Sequence, residues 1–332
     1  MSTAPGPSPA RRPVPGPLAD DDGLRLETVR RTAPELQAQL DGLARVAREV
    51  DSVSPFGEHK WLRLIRGDDR CAALLLSRHD VLVAAAHCDA YHTPAPEHPC
   101  RLSVELVVHP DHRRRGLGRL LLQGALALAH EEGADELHLW AYGHLPVART
   151  LAERIGCGPV RTLLQLELPA ERLPEEVPIL PPDLHLCPFE PRRDAYPWLA
   201  LHNRVFAGHP EQGNWDASDL QARFEQPWFN AADLLLAQDL RDGALKGFCW
   251  VKLPREEASP GEIYIVGVDP AARGQGLGRL LALAGLAHIR ARGRPGATLY
   301  VEADNTPAVA LYEQLGFRRR WEHACYAQRL TR

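Results

Sequence analysis

No run of the sequence approaches the roughly 20 uninterrupted apolar residues that span a bilayer, which excludes a helical membrane protein. A strong charge of either sign is missing as well. The formal net charge is -4, so a broad polyanion-binding surface is not expected and nucleic acid is excluded as a partner. The cysteines, Cys71, Cys88, Cys100, Cys157, Cys187, Cys249 and Cys325, are scattered, odd in number and never in a C-x-x-C pair. That is the pattern of reduced thiols in a cytoplasmic protein, not of a disulfide framework. The histidines show no H-E-x-x-H or similar ligand spacing, so no metal is expected. The start of the chain lacks the apolar core of a signal peptide and is dense in Pro, Ser and Gly, so residues 1–22 are read as a disordered tail.

What the sequence does contain is enough apolar residue for two cores. At 332 residues, 45% hydrophobic and 25% charged, the composition is that of a soluble globular protein about twice the usual domain length. Laid against itself at an offset of about 160 residues, the chain repeats. HPDHRRRGLGRLL at 109–121 falls on DPAARGQGLGRLL at 269–281, sharing Pro, Arg, Gly, Leu, Gly, Arg, Leu and Leu in register. Each block follows an apolar extended run (102–108; 263–268) and precedes a helical apolar period. In the second copy Leu277, Leu280, Leu281 and Ala284 recur at helical spacing, with Gly293 as a stop. Strands at 136–140 and 297–301 follow, then helices at 146–156 and from Pro307 to Gly316. Five prolines in 169–183 read as a stiff linker between a first domain, 23–168, and a second, 184–330. Alternating strands and helices predict an α/β fold in both halves.

The repeated block has a chemical reading. Arg273, Gly274, Gln275, Gly276, Leu277 and Gly278 put side-chain-free positions where a strand turns into a helix. There the backbone can approach a ligand, and first-turn N–H groups without an intrahelical acceptor suit a phosphate or pyrophosphate. One isolated copy is equally well a structural turn; two copies in the same setting point to anion binding. The spacing fits neither G-x-G-x-x-G nor a Walker loop, which lacks its Gly-Lys-Ser/Thr here.

The D-P-x-x-R-G-x-G-x-G-R-L-L block at 269–281, with Asn305, Ala308, Tyr312, Gly316 and Phe317 downstream, resembles the GCN5-related N-acetyltransferases (GNAT). Within that family, the tandem arrangement, FAGHPEQG at 206–213 and GEIYIVGVDP at 261–270 are similar to the mycothiol synthases. The resemblance implies two tandem GNAT-like domains, each a mixed sheet flanked by helices and splayed between its fourth and fifth strands. It also implies a monomer that transfers acetyl from acetyl-CoA to the cysteinyl amine of cysteinyl-glucosaminyl-inositol. Val266, Gly267 and Val268 would bind the pantetheine arm, and Arg273 through Arg279, with Asn305, the rest of the cofactor. Leu106, Val107, Val108 and the loop Arg113, Arg114, Arg115, Gly116, Leu117 and Gly118 would hold a CoA in the first half. Glu262 would be the general base and Tyr312 the general acid; Glu58, Glu211, Lys252, Glu262 and Tyr300 would contact the acceptor.

Each of these side chains also has a plain reading. Glu262 suits a solvated strand edge, Tyr312 helix packing, and Cys249 buried filler. In the first copy, Leu102 stands in register with Glu262, and Ala152 takes the place of Tyr312. Glu105, three residues along the strand from Leu102, is expected on the opposite face. The first half is therefore expected to bind CoA without catalysis. Two alternatives stay open: a tandem N-acetyltransferase acting on another small amine such as an aminoglycoside or polyamine, and a non-catalytic acyl-CoA-sensing module.

Overall fold

The computed structural model describes residues 12–13, 23–57, 60–61, 63–64, 70–91, 99–143, 146–207 and 215–331. Its two compact units comprise Met1–Thr162 with Glu322–Arg332, and Leu163–Trp321. Both have the expected α/β architecture. Of the expected tail, only Arg12–Pro13 (β1) lies among the described residues, paired with Glu27 and Thr28.

Unit 1 contains β2 (Leu24–Val29), α1 (Pro34–Asp51), β3 (Cys71–Arg78), β4 (Val81–Tyr91), β5 (Arg101–Val108), α2 (Leu117–Glu131), β6 (Glu136–Ala141) and α3 (Pro146–Arg154). Its strands lie in the order β1-β2-β3-β4-β5-β6, antiparallel except for the parallel pair β5 and β6. Alternate residues of β5 serve two cores. Leu102, Val104, Leu106 and Val108 pack with Leu117, Leu121, Leu122 and Leu128 of α2, and Val107 packs with Leu36, Leu40 and Leu43 of α1.

Unit 2 contains β8 (Leu184–Pro188), α4 (Pro191–Val205), α5 (Ala217–Phe224), β9 (Leu234–Asp239), β10 (Leu245–Lys252), β11 (Gly261–Val268), α6 (Leu277–Ala291), β12 (Gly296–Glu302) and α7 (Thr306–Gln314). The parallel pair here is β11 and β12. One face packs on α6 and α7 through Cys249, Val251, Ile263, Leu281, Ile289 and Leu299. The other packs on α4 and α5 through Trp198, Trp215, Phe248, Trp250 and Ile265. Gly285 lets α6 approach closely: a Cβ there would lie 2.5 Å from Cys249 Sγ and 2.8 Å from Ile263.

The last strand of each sequence repeat is found in the other unit. In β7 (Gly158–Pro169) the chain passes into unit 2, where residues Leu163 to Pro169 pair with β12. In β13 (Arg318–Arg329) it returns to unit 1, where Ala324 to Arg329 pair with β6. The crossing thus lies in two strands, and the proline-rich segment 169–183 runs within unit 2. There Leu173 is buried and its carbonyl accepts from Arg290 Nη1.

Deleting residues 322–332 should therefore damage the first unit, although the deletion is at the far end of the chain. It removes six residue pairs to β6 and the buried side chains of His323, Cys325 and Tyr326. Burial of one such aromatic is worth about 2 kcal/mol. Amide hydrogen exchange should show protection lost across 136–141 while 263–268 in unit 2 keeps theirs. Equal protection of 136–141 in the truncated and full chains would contradict this.

Candidate active site

The site in unit 2 is built around one extra residue in β11. Cys249 pairs with Val266 and Trp250 with Ile265, but the next residue, Val251, pairs with Ile263, so Tyr264 is a bulge. Below the bulge Glu262 lies opposite Lys252 and beside Thr298 of β12. The parallel pairing to β12 covers only Gly261, Glu262 and Ile263, after which the strands part. Val266, Gly267 and Val268 thus pair with β10 alone and leave their other edge open to an extended ligand.

Glu262 and Tyr312 lie on opposite faces of the sheet. The Glu262 carboxylate lies 3.8 Å from Lys252 Nζ, on the face turned away from α6. Lys252 is stacked over the rings of Trp228, at 5.2 Å, and Tyr264, at 5.7 Å. Tyr264 is held in turn by Arg223, whose Nε donates to its hydroxyl at 3.1 Å and whose guanidinium covers Trp215 at 3.5 Å. Trp215 is buried core, and Trp228 forms the edge of the same aromatic cluster. Tyr312 belongs to the α6 face, packed on the core around Cys249 and edge-on to Phe317 at 5.7 Å. Burial, and then the nearby Cys249, push its phenol well above the ordinary range, which keeps it protonated.

After β11 comes the loop. Asp269 Oδ1 accepts from Ala271 N at 2.9 Å, and its other oxygen takes Arg204 at 2.8 Å, which fixes the turn. Gly274 and Gly276 have φ of 79° and 77°, the left-handed region that favours glycine, and nothing lies within 4 Å of a Cβ at either. The open space faces the first turn of α6, whose N-cap is Gly276. This cradle fits a pyrophosphate. Arg273 donates to Val205 O at 3.3 Å, and Asn305 caps α7 by accepting from Ala308 N at 3.3 Å. Tyr300 is 45% exposed on β12. Glu58 and Glu211 lie outside the described residues.

Unit 1 keeps the loop shape but changes its chemistry. Gly116 caps α2 at φ 83°, and Arg114 adopts φ 64° where the second loop has Gly274. Arg113 makes a bidentate pair with Asp51 at 2.8 and 2.7 Å and donates to Val108 O, so its charge is directed to protein groups rather than to a ligand. The strand β5 has no bulge against β4, and its pairing to β6 runs on through Glu105 and Trp140.

This overturns two expectations about β5. With Tyr264 as an extra residue, the counterpart of Glu262 is Ser103, which pairs with His138 as Glu262 pairs with Thr298. Glu105 lies on the face turned away from α2, the same side that carries Glu262 in unit 2, and not on the opposite one. There it is fully buried: Tyr142 donates to it at 2.5 Å, Gly57 N at 2.9 Å, and Lys60 Nζ stands 3.0 Å away. Ala152 does hold the place of Tyr312, since Cys157 N donates to Ala152 O as Phe317 N donates to Tyr312 O.

Residues 38–157 and 196–317 match the model of the acetyltransferase (GNAT) family. The mycothiol acetyltransferase of Thermomonospora curvata is 44% identical over 91% of this chain and 94% of its own length. That of Sanguibacter keddieii is 42% identical over 90% and 95%. The chain belongs to the mycothiol acetyltransferases of the GNAT family. As such it is an acetyl-CoA-dependent N-acetyltransferase of mycothiol biosynthesis acting on a small molecule. Two solved structures share the acetyltransferase fold at lower identity. A tandem GNAT protein from the clavulanic acid biosynthesis pathway has a TM-score of 0.72 at 21% identity, covering 92% of this chain and 98% of its own. A GCN5-related N-acetyltransferase from Sphaerobacter thermophilus has a TM-score of 0.67 at 22% identity, covering 93% and 96%.

Beside Glu105 the acetyltransferase buries a histidine. His87, across from Glu105 in register, is 1% exposed and neither ring nitrogen has a partner among the described residues. Burial, followed by the charges of Lys60 and Arg63, lowers its pKa to about 3. An unfolded histidine titrates near 6.5, so between those values the unfolded chain binds the extra proton and stability falls as pH falls. Urea unfolding of unit 1 at pH 7 and pH 4.5 should show an acid loss smaller in His87→Gln than in the parent, by on the order of 2 kcal/mol. An identical loss in both proteins would mean that His87 is not a neutral buried group.

Proposed function

We propose that the chain transfers acetyl from acetyl-CoA to the cysteinyl amine of cysteinyl-glucosaminyl-inositol, with Glu262 as general base and Tyr312 as general acid. The observation that supports this reading is the parting of β11 from β12 just beyond Glu262, with Glu262 on one face of the sheet and Tyr312 on the other. A thioester lying in that gap presents its carbonyl carbon to one face and its sulfur to the other. Glu262 takes a proton from the acceptor ammonium, directly or through water, and frees the nitrogen lone pair. As the C–N bond forms and the C–S bond breaks, Tyr312 gives its proton to the departing sulfur, and the second proton shed by the acylated nitrogen returns through water to the phenolate. Lys252, beside Glu262, and the exposed Tyr300 offer hydrogen bonds to the acceptor. Acetyl-CoA is held by the open edge of Val266 to Val268 and by the amides of the glycine cradle. Unit 1 binds CoA without turning it over, a role supported by Ser103 and Ala152 at the places of the base and the acid.

Incubation with acetyl-CoA and cysteinyl-glucosaminyl-inositol, followed by free CoA thiol and product mass, tests the assignment. An inert acceptor alongside turnover of another amine would refute it. Glu262→Gln and Tyr312→Phe should each lower kcat by about 10²–10⁴-fold with little change in acetyl-CoA affinity. Because burial holds the phenol protonated, kcat in the parent should show no descending limb up to about pH 10, where an ordinary tyrosine titrates. A descending limb near neutral pH that disappears in Tyr312→Phe would contradict the assignment of the acid.

The two loops should respond differently to the same lesion. Valine at Gly276 or Gly116 meets the same unfavourable φ, so local damage is comparable. Gly276→Val should abolish turnover, and Gly116→Val should leave kcat at saturation near normal. A folded Gly276→Val protein with full activity would overturn the division of labour.

A further inference from the structure

Tyr264 stands where two features of β11 coincide. The pairing to β10 skips it, and it is the first residue beyond the three that pair with β12. Neither ladder fixes its direction, so the direction is set by its side chain. The ring packs edge-on to Trp228 at 5.3 Å and to Trp250 at 5.6 Å, and its hydroxyl meets α5.

The group that meets it is Arg223, which is 1% exposed. Its Nε donates to the Tyr264 hydroxyl at 3.1 Å, its Nη1 donates to Asp219 O one turn back at 2.7 Å, and its guanidinium lies 3.5 Å from the centre of the Trp215 ring. The helix that carries it is firmly held. Asp216 caps α5 by accepting from Ser218 N at 2.8 Å and Asp219 N at 2.9 Å, and Leu220 and Ala222 are buried. Burying a guanidinium is costly, and an apolar side chain of the same volume would fill the space with less loss. Towards the site, what the arginine adds over such a chain is its grip on the phenol oxygen of Tyr264. The Tyr264 ring in turn carries Lys252, whose Nζ stands 3.8 Å from Glu262 Oε2. The other ionisable groups along this face are Tyr300 on β12 and, two strands from Glu262, Glu167 on β7.

We infer that Arg223 is a positioning residue for acetyl transfer: through the Tyr264 hydroxyl it fixes the bulge in β11, and with it the direction of Glu262 and the place of the Lys252 ammonium. The inference rests on the reading of Glu262 as the base. Its test is a double-mutant cycle of Arg223 and Tyr264 in the full chain, read by steady-state kinetics with acetyl-CoA and cysteinyl-glucosaminyl-inositol. Tyr264→Phe removes one hydroxyl and keeps the ring. It should lower kcat about tenfold, the cost of one hydrogen bond to a charged group, with KM for acetyl-CoA within about twofold of the parent's. The ascending limb of kcat against pH should move to higher pH, because a carboxylate whose cationic neighbour is no longer held beside it takes up a proton more readily. Arg223→Met should do the same in the parent and add little in the Tyr264→Phe background. Arg223→Lys, which can still donate to the hydroxyl, should recover part of the turnover lost in Arg223→Met.

Parental kcat and a parental limb in Tyr264→Phe would overturn the inference, and that variant decides the matter even where Arg223→Met does not fold. So would losses that simply add in the double variant, since Arg223 would then act by another route. A lower kcat with the limb at its parental pH would make the pair structural only, which also overturns it. Parental turnover in Glu262→Gln would instead defeat the reading of the base.

Discussion

The parting of β11 from β12 after only three residue pairs is the constraint on which the chemistry of this molecule depends. Two parallel strands that stayed paired would satisfy each other's backbone groups and leave no place for a third chain-like ligand between them. The Tyr264 bulge re-aims the side chains on either side of it, so that Glu262 and Ile265 share a face although they are three residues apart. The same bulge gives Tyr264 its partly exposed position, where Arg223 and Lys252 hold the rim of the aromatic cluster. The direction of Glu262 and the support of its lysine neighbour thus follow from a single added residue.

Unit 1 shows the same frame without that residue. Its β5 and β6 remain paired for five positions, and the face that would meet an acceptor is filled by Glu105, Lys60 and Tyr142, with Arg63 and Asp89 paired alongside at 2.8 Å. Buried ion pairs of this kind are costly to break and add little net stability over apolar packing. Their presence on that face fits a unit relieved of turnover. Arg114, left-handed where the other loop has glycine, shows that the turn geometry is imposed by its flanking strand and helix even where the residue disfavours it.

The repeated run of strand, glycine loop, helix, strand and helix in each half was legible in the sequence because its apolar periods are strong and occur twice. The fate of Tyr312 and Ala152 was legible for the same reason, since each sits a fixed distance from a helix-ending glycine. The facing of Glu105 was not. A bulge is a property of two strands in register, and no residue type in GEIYIVGV announces which position is skipped. The row of Lys252, Glu262 and Thr298 was hidden likewise, because it unites strands from three separate parts of the chain. Composition around 169–183 suggested a linker between the halves but could not say to which sheet the preceding strand adds, and the segment runs within unit 2.

The exchange of closing strands has a consequence for synthesis. Unit 1 is made first, yet the strand that pairs with β6 leaves the ribosome only after the residues of unit 2. Throughout translation of the entire second half, β6 presents an uncovered strand edge, the feature through which nascent chains most readily associate wrongly. The first half of the chain is thus the last to be completed, and its exposure in the cell lasts as long as the making of its neighbour.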